Sequence, residues 1–120
     1  MAGYVDVYAL PLPKRNLAAY KRIAKRWGTV MRDYGVLEYR EFVLKDPKSR
    51  FGIPFKLKRG EAMITAVVGF KSKAHRDRAN ARAMKDPRMQ KMMKEPMVFD
   101  MKRLVMGGFQ TIVEQKKRGR

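Results

Sequence analysis

The sequence predicts an α+β chain in the order βαββαβ, a four-stranded antiparallel sheet with two helices on one of its faces. Three observations carry this. Two stretches repeat apolar residues at helical spacing, four others alternate or run apolar over strand lengths, and glycine or proline stands between most of them.

The first strand is Tyr4 to Leu10. Val5, Val7 and Ala9 share one face and Tyr4, Asp6, Tyr8 and Leu10 the other, and Pro11 and Pro13 are expected to end the strand. Asp6 is charged on an otherwise aromatic and aliphatic face, so once covered it needs a salt bridge or a backbone partner. From Arg15 to Tyr34 the spacing is helical. Leu17, Tyr20, Ile23, Ala24, Trp27, Val30, Met31 and Tyr34 form the inward stripe, with Asn16 as cap and Gly35 as stop.

Val36 to Leu44 alternates again, with Leu37, Tyr39, Glu41 and Val43 opposed to Val36, Glu38, Arg40 and Phe42. Pro47, Gly52, Pro54 and Gly60 then mark a long connection from Lys45 to Gly60. Within it Phe51, Ile53, Phe55 and Leu57 give an apolar edge, expected to cover a core opening or a subunit partner. Ala62 to Phe70 is almost continuously apolar and too short for a typical helix, so it reads as a central strand covered on both faces.

The stretch from Lys71 to Met93 carries the second helix. Ser72 is its expected cap and Asp86-Pro87 its stop. His75, Ala79, Ala83 and Met84 fall on one side, and Arg78, Arg82 and Lys85 on the side expected to face water. Arg76 and Asn80 lie near the middle of the apolar stripe beside His75, so three polar groups point inward. They either bond to strand ends or line a ligand site. A short helix follows, capped by Asp86 with Pro87 at its first position, and Met89, Met92 and Met93 are its packing side chains. Arg103 to Val113 is the last strand, where Gly107-Gly108 marks a bulge or a close backbone approach.

The length of 120 residues suits one domain, residues 1–114, followed by a basic, disordered tail over residues 115–120. Absence of cysteine excludes disulfides, thiolate zinc sites and thiol nucleophiles, and a lone histidine argues against a His-based cluster. No metal or cofactor is therefore expected. No apolar run approaches the roughly 20 residues of a membrane span, and the N-terminus lacks signal-peptide features, so the expectation is a soluble, cytoplasmic protein. Charge stands out: 29 Lys and Arg against 11 Asp and Glu give a formal +18. Such a surface attracts polyanions whatever its fold. Helices on one face leave the other face of the sheet bare, and a second copy is the economical cover, which predicts a homodimer.

The stretches YALPLPKRNLAAYKRIA, KSKAHRDRANARAMKDPRM and FDMKRLVMGGF resemble those of the YbaA-like proteins, a bacterial family of unknown function in the dimeric α/β-barrel superfamily. The similarity runs from Tyr4 to Val113. It implies a ferredoxin-like subunit and a face-to-face dimer, and it brings no established enzyme activity. Related barrels include ligand binders and metal-free monooxygenases with a pocket between sheet and helices, an analogy at the level of fold. Family members are commonly near neutral or acidic. This chain departs from them by placing Lys or Arg along the outer faces of both helices, the pattern either of a surface-recharged, engineered variant or of a naturally basic homologue.

Three functional readings follow. In the first, Lys21, Arg22, Lys25, Arg26, Arg32, Arg78, Arg82 and Lys85 bind nucleic acid or another polyanion without sequence preference. Base-specific reading is disfavoured, because no recognition helix or zinc finger is present and Trp27, Tyr20 and Tyr34 fall on the buried stripe. In the second, a pocket around His75 binds a small molecule or acts as a metal-free enzyme. His75 would serve as acid or base, Arg76 would hold an anionic group, and Asn80, Tyr39 and Asp100 would orient a polar ligand. In the third, the chain is a cationic scaffold or assembly component that meets anionic partners by charge alone.

Overall fold

The computed structural model describes residues 2–117; the last three residues of the expected tail, 118–120, lie outside that range. Among the described residues four strands and three α-helices follow in order: β1 (Tyr4–Pro13), α1 (Leu17–Asp33), β2 (Glu38–Val43), β3 (Glu61–Phe70), α2 (Lys73–Met84), α3 (Pro87–Met93) and β4 (Val105–Gln110). The strands form one antiparallel sheet in the order β2-β3-β1-β4, the ferredoxin-like arrangement. No helix among the described residues is long and apolar enough to cross a membrane.

Alternation assigns the strand faces. Tyr8, Leu10 and Leu12 of β1 join Ile64, Val68 and Phe70 of β3 beneath the helices. Over them lie Tyr20, Val30 and Met31 of α1, Ala79 and Ala83 of α2, and Met89 of α3. The opposite face carries Val5, Val7, Thr65 and Val67, all half-buried, with Phe42, Val105 and Phe109 more exposed. Within one chain this second face of β3 is the one left without helices, the face on which a second copy is expected.

Several boundaries differ from expectation for identifiable reasons. β1 continues through Pro11 to Pro13 because its pairing with β4 ends at Ala9. Beyond that point β1 has one free edge, where a missing N–H breaks no ladder. Asn16 precedes α1 but does not cap it; its Nδ2 donates to the Val98 carbonyl at 2.7 Å and ties the helix start to the segment before β4. Met84, expected inward, is 48% exposed, since α2 buries only the small Ala79 and Ala83. The last strand is Val105–Gln110 and shorter than expected, with exposed Ile112 and Val113 beyond it.

The expected punctuation holds at α2 and α3. Ser72 accepts from the His75 amide at 3.1 Å, and Asp86 accepts from the Arg88 amide at 2.8 Å. Gly35 ends α1 with φ +98°, the left-handed cap that glycine adopts without strain.

Candidate functional site

The register brings polar groups into two adjacent rows under the helices. One row runs Gly108, Asp6, Val68, Tyr39; the next runs Met106, Tyr8, Ala66, Glu41. Row partners share a face of the sheet, so Tyr8 and Glu41 flank Ala66 from either side. Ala66 fills little of the space between them, and Ala24 on α1 is equally small. A cavity of about 270 Å³ results, lined by Tyr8, Tyr39, Glu41 and Ala66 of the sheet, by Ile23, Ala24 and Trp27 of α1, and by Phe99 and its neighbours.

Among the described residues Glu41 is the only charged side chain on that lining. Its Oε1 accepts from the Tyr20 hydroxyl at 2.8 Å and its Oε2 accepts from the Tyr39 hydroxyl. Burial raises the Glu41 carboxyl above its ordinary range, against the lowering effect of the two phenol hydrogen bonds. The phenols respond in the same sense. Burial, with the Glu41 charge in support, pushes Tyr20 and Tyr39 upward, and burial beside Asp6 and Glu41 pushes Tyr8 up to about 12. All three therefore stay protonated at neutral pH. Tyr8 differs from the other two in that its hydroxyl makes no hydrogen bond to a described protein group, while its ring lines the cavity.

Tyr39 owes its place to Gly28. A Cβ at position 28 would stand 2.7 Å from Tyr39 Cδ2, so only glycine lets the ring lie against α1, where Trp27 meets it edge-on at 4.9 Å. Outside this cluster a groove of about 800 Å³ runs along α1 and β2 and shares Tyr20, Ala24, Tyr39 and Glu41 with the cavity. Lys21, Lys25 and Arg32 rim it, opposite Glu38.

A second polar cluster lies beside the first. Asp6 is 1% exposed, and Arg76 Nη1 stands 3.4 Å from its Oδ1, close enough for ion pairing without a hydrogen bond. Arg76 Nη2 donates to the Tyr4 hydroxyl at 3.2 Å, and its Nε lies 3.0 Å from Asp77 Oδ1 without hydrogen-bond alignment. Burial raises the Asp6 carboxyl, although the Arg76 charge acts to lower it. Tyr4 lies across Gly108, where a Cβ would come within 2.1 Å of its hydroxyl; this is the close approach that the glycine pair suggested.

The five residues expected around His75 do not converge on one pocket. His75 Nδ1 accepts from the Lys71 amide at 2.9 Å and the ring stands edge-on to Phe70, so it closes its own helix start. Arg76 neutralises Asp6, and Asn80 is half-buried on α2. Asp100 caps a short turn through the Lys102 amide at 2.9 Å and accepts from Arg103 Nε at 3.0 Å. Tyr39 alone lines the cavity. Sequence reasoning missed Glu41, Tyr8 and Tyr20. The signal was present in Glu41, a charge alternating with Leu37, Tyr39 and Val43 as Asp6 alternates with Tyr4 and Tyr8.

The eight cationic positions Lys21, Arg22, Lys25, Arg26, Arg32, Arg78, Arg82 and Lys85 are all exposed. Arg26 is held by Glu95 through two contacts of 3.0 and 3.1 Å, and Arg32 lies 3.9 Å from Asp33.

The family model described as Protein of unknown function (DUF1428) matches residues 3–101. The chain belongs to the DUF1428 family. The uncharacterized protein YbaA of Escherichia coli K12 is 32% identical over 116 residues, covering 93% of this chain and 98% of YbaA. Two solved structures show the fold. A dimeric ferredoxin-like protein from an uncultured marine organism superposes with a TM-score of 0.57 at 10% identity, over 98% of this chain and 95% of that one. SnoaB from Streptomyces nogalater, a cofactor-independent oxygenase, gives a TM-score of 0.54 at 16% identity, over 97% of this chain and 100% of SnoaB.

Proposed function

We propose that this DUF1428 member binds a small apolar molecule between its sheet and α1, with Glu41 as the group that accepts or exchanges a proton. One observation carries the reading: a carboxyl group raised by burial sits in an apolar cavity and is held by two phenols. Buried carboxyls shifted toward neutral pH are suited to acid–base work. The small-molecule reading thereby moves from His75 to Glu41. Trp27 is the sole tryptophan and lines the cavity, so its fluorescence reports occupancy. Titration with p-xylene should change Trp27 emission, and Ala66→Leu, which fills the floor, should abolish the change. A folded protein that gives no response removes this reading.

The binding unit is a homodimer on this reading. The outer face of the sheet presents Val5, Val7, Val67, Phe42, Val105 and Phe109 as one apolar surface, with Arg40 and Glu38 beside it. A chain of formal charge +18 repels its own copies almost everywhere else. A second copy of this face offers apolar contact together with opposite charges across a two-fold axis. Sedimentation should give a dimer that Phe109→Asp dissociates; a monomer at micromolar concentration contradicts it.

A second reading rests on the eight exposed cations, which would bind polyanions by charge and do so in the cytoplasm. The same coat is what surface recharging of a family member would produce, since it changes partners and leaves the core alone. Duplex affinity should then fall with salt at a log–log slope of roughly −0.9 per phosphate engaged. Salt-insensitive binding, or none at low ionic strength, ends it.

A further inference from the structure

The unused hydrogen-bonding capacity of the cavity identifies what fits it. Glu41 has two carboxylate oxygens with about four acceptor positions, of which Tyr20 and Tyr39 occupy two. An acceptor therefore remains open on that side. On the other side, Tyr8 lines the cavity, and its hydroxyl, bonded to no described protein group, has a donor to give. Tyr8 and Glu41 belong to one row of the sheet with Ala66 between them, which puts their Cα atoms about 10 Å apart, two strand spacings. Tyr8, Glu41 and Ala66 all line the one cavity.

A ligand that satisfies both sides with one group must donate and accept at the same atom, and a hydroxyl does so. With Glu41 ionised, a carbonyl could accept from Tyr8 but leaves Glu41 unserved, and an ammonium could donate to Glu41 and to the Tyr8 oxygen but leaves the Tyr8 O–H without an acceptor. A carboxylate ligand would bring a second negative charge against Glu41 in an apolar setting. The remaining lining is aromatic, aliphatic and thioether: Trp27, Phe99, Met97, Met101, Ile23 and Leu104. Flat rings pack well against such groups, and methionine adapts to their edges. A volume of about 270 Å³ is below the usual drug-sized range and suits one or two rings.

Resting on the cavity reading above, we infer that the ligand is a neutral hydroxyarene whose hydroxyl donates to Glu41 and accepts from Tyr8. Four probes of matched shape test this by calorimetry: p-cresol, p-xylene, p-toluate and 4-methylbenzylamine. The cresol and xylene differ by a hydroxyl in place of a methyl. The expected result is that p-cresol binds about tenfold or more tightly than p-xylene, as for a hydrogen bond to a charged acceptor, with toluate and benzylamine weaker than both. Tyr8→Phe removes the free hydroxyl and breaks no described protein hydrogen bond. It should weaken p-cresol about three- to tenfold and leave p-xylene unchanged. Equal binding of p-cresol and p-xylene, or preference for either ion, overturns the hydroxyarene assignment while the cavity reading stands. Failure of all four probes to bind folded protein removes both. If Tyr8→Phe does not fold, the probe order on the wild type still decides.

Discussion

Ala66 is among the smallest side chains lining the cavity, so enlarging it should strengthen the fold and remove the site together. Ala66 is 2% exposed on β3 and lines a space of about 270 Å³. Ala66→Leu adds three carbons into that space. At about 0.8 kcal/mol per buried carbon the gain is about 2.4 kcal/mol, from which leucine's lost rotamer freedom takes about 0.5–1 kcal/mol. The net expectation is about 1.5–2 kcal/mol of added stability. In a chain of this length that raises Tm by about 5 °C or more. Urea denaturation and calorimetry of wild type and variant measure the difference directly, and p-xylene titration of the same samples measures the loss of binding. If Ala66→Leu instead destabilises by more than about 1 kcal/mol, as overpacking of a filled core does, the space above Ala66 is not available and the reasoning fails.

Two further predictions concern half-buried Glu41 and buried Asp6. Burial raises the Glu41 pKa above its ordinary value of 4.5, so the native state holds this proton more tightly than the unfolded chain. Its stabilising contribution is full below about pH 4.5 and is lost as pH rises through the folded value. Glu41→Gln mimics the protonated form, so urea melts across pH should show the variant gaining on wild type above that point. A pH-independent difference would contradict the assignment. Arg76→Ala should cost about 3 kcal/mol, because it leaves Asp6 charged and buried without its partner. Adding Asp6→Asn should recover part of that loss in the same denaturation assay, and a double variant no more stable than Arg76→Ala would show that the pair's charge was not the cause.

Much of the fold was legible in the residues. Alternation in β1 and β2, the apolar run of β3, the stripe of α1 and the stops at Gly35 and Asp86-Pro87 each act over a few residues and need no knowledge of neighbours. Pro11 misled because its tolerance depends on where β4 ends, a fact of pairing rather than of β1 itself. The site was harder for the same reason. Tyr8, Ala66 and Glu41 lie far apart in the chain and meet only through register, and a small residue such as Ala66 gives no warning that it floors a cavity. His75 attracted attention by being the one histidine, yet its ring completes the turn that begins α2. Asp6 and Glu41 were the better signals. A charge on an apolar strand face has to be answered inside the fold, by Arg76 in one case and by two tyrosines in the other.

The most direct measurement is a crystal structure of the protein grown with p-cresol. The ring should lie under Trp27, with its hydroxyl within hydrogen-bond distance of Glu41 and Tyr8 and with Ala66 beneath it. Cresol bound elsewhere, or side chains of α1 closed down onto Ala66 with no space between, would contradict the assignment.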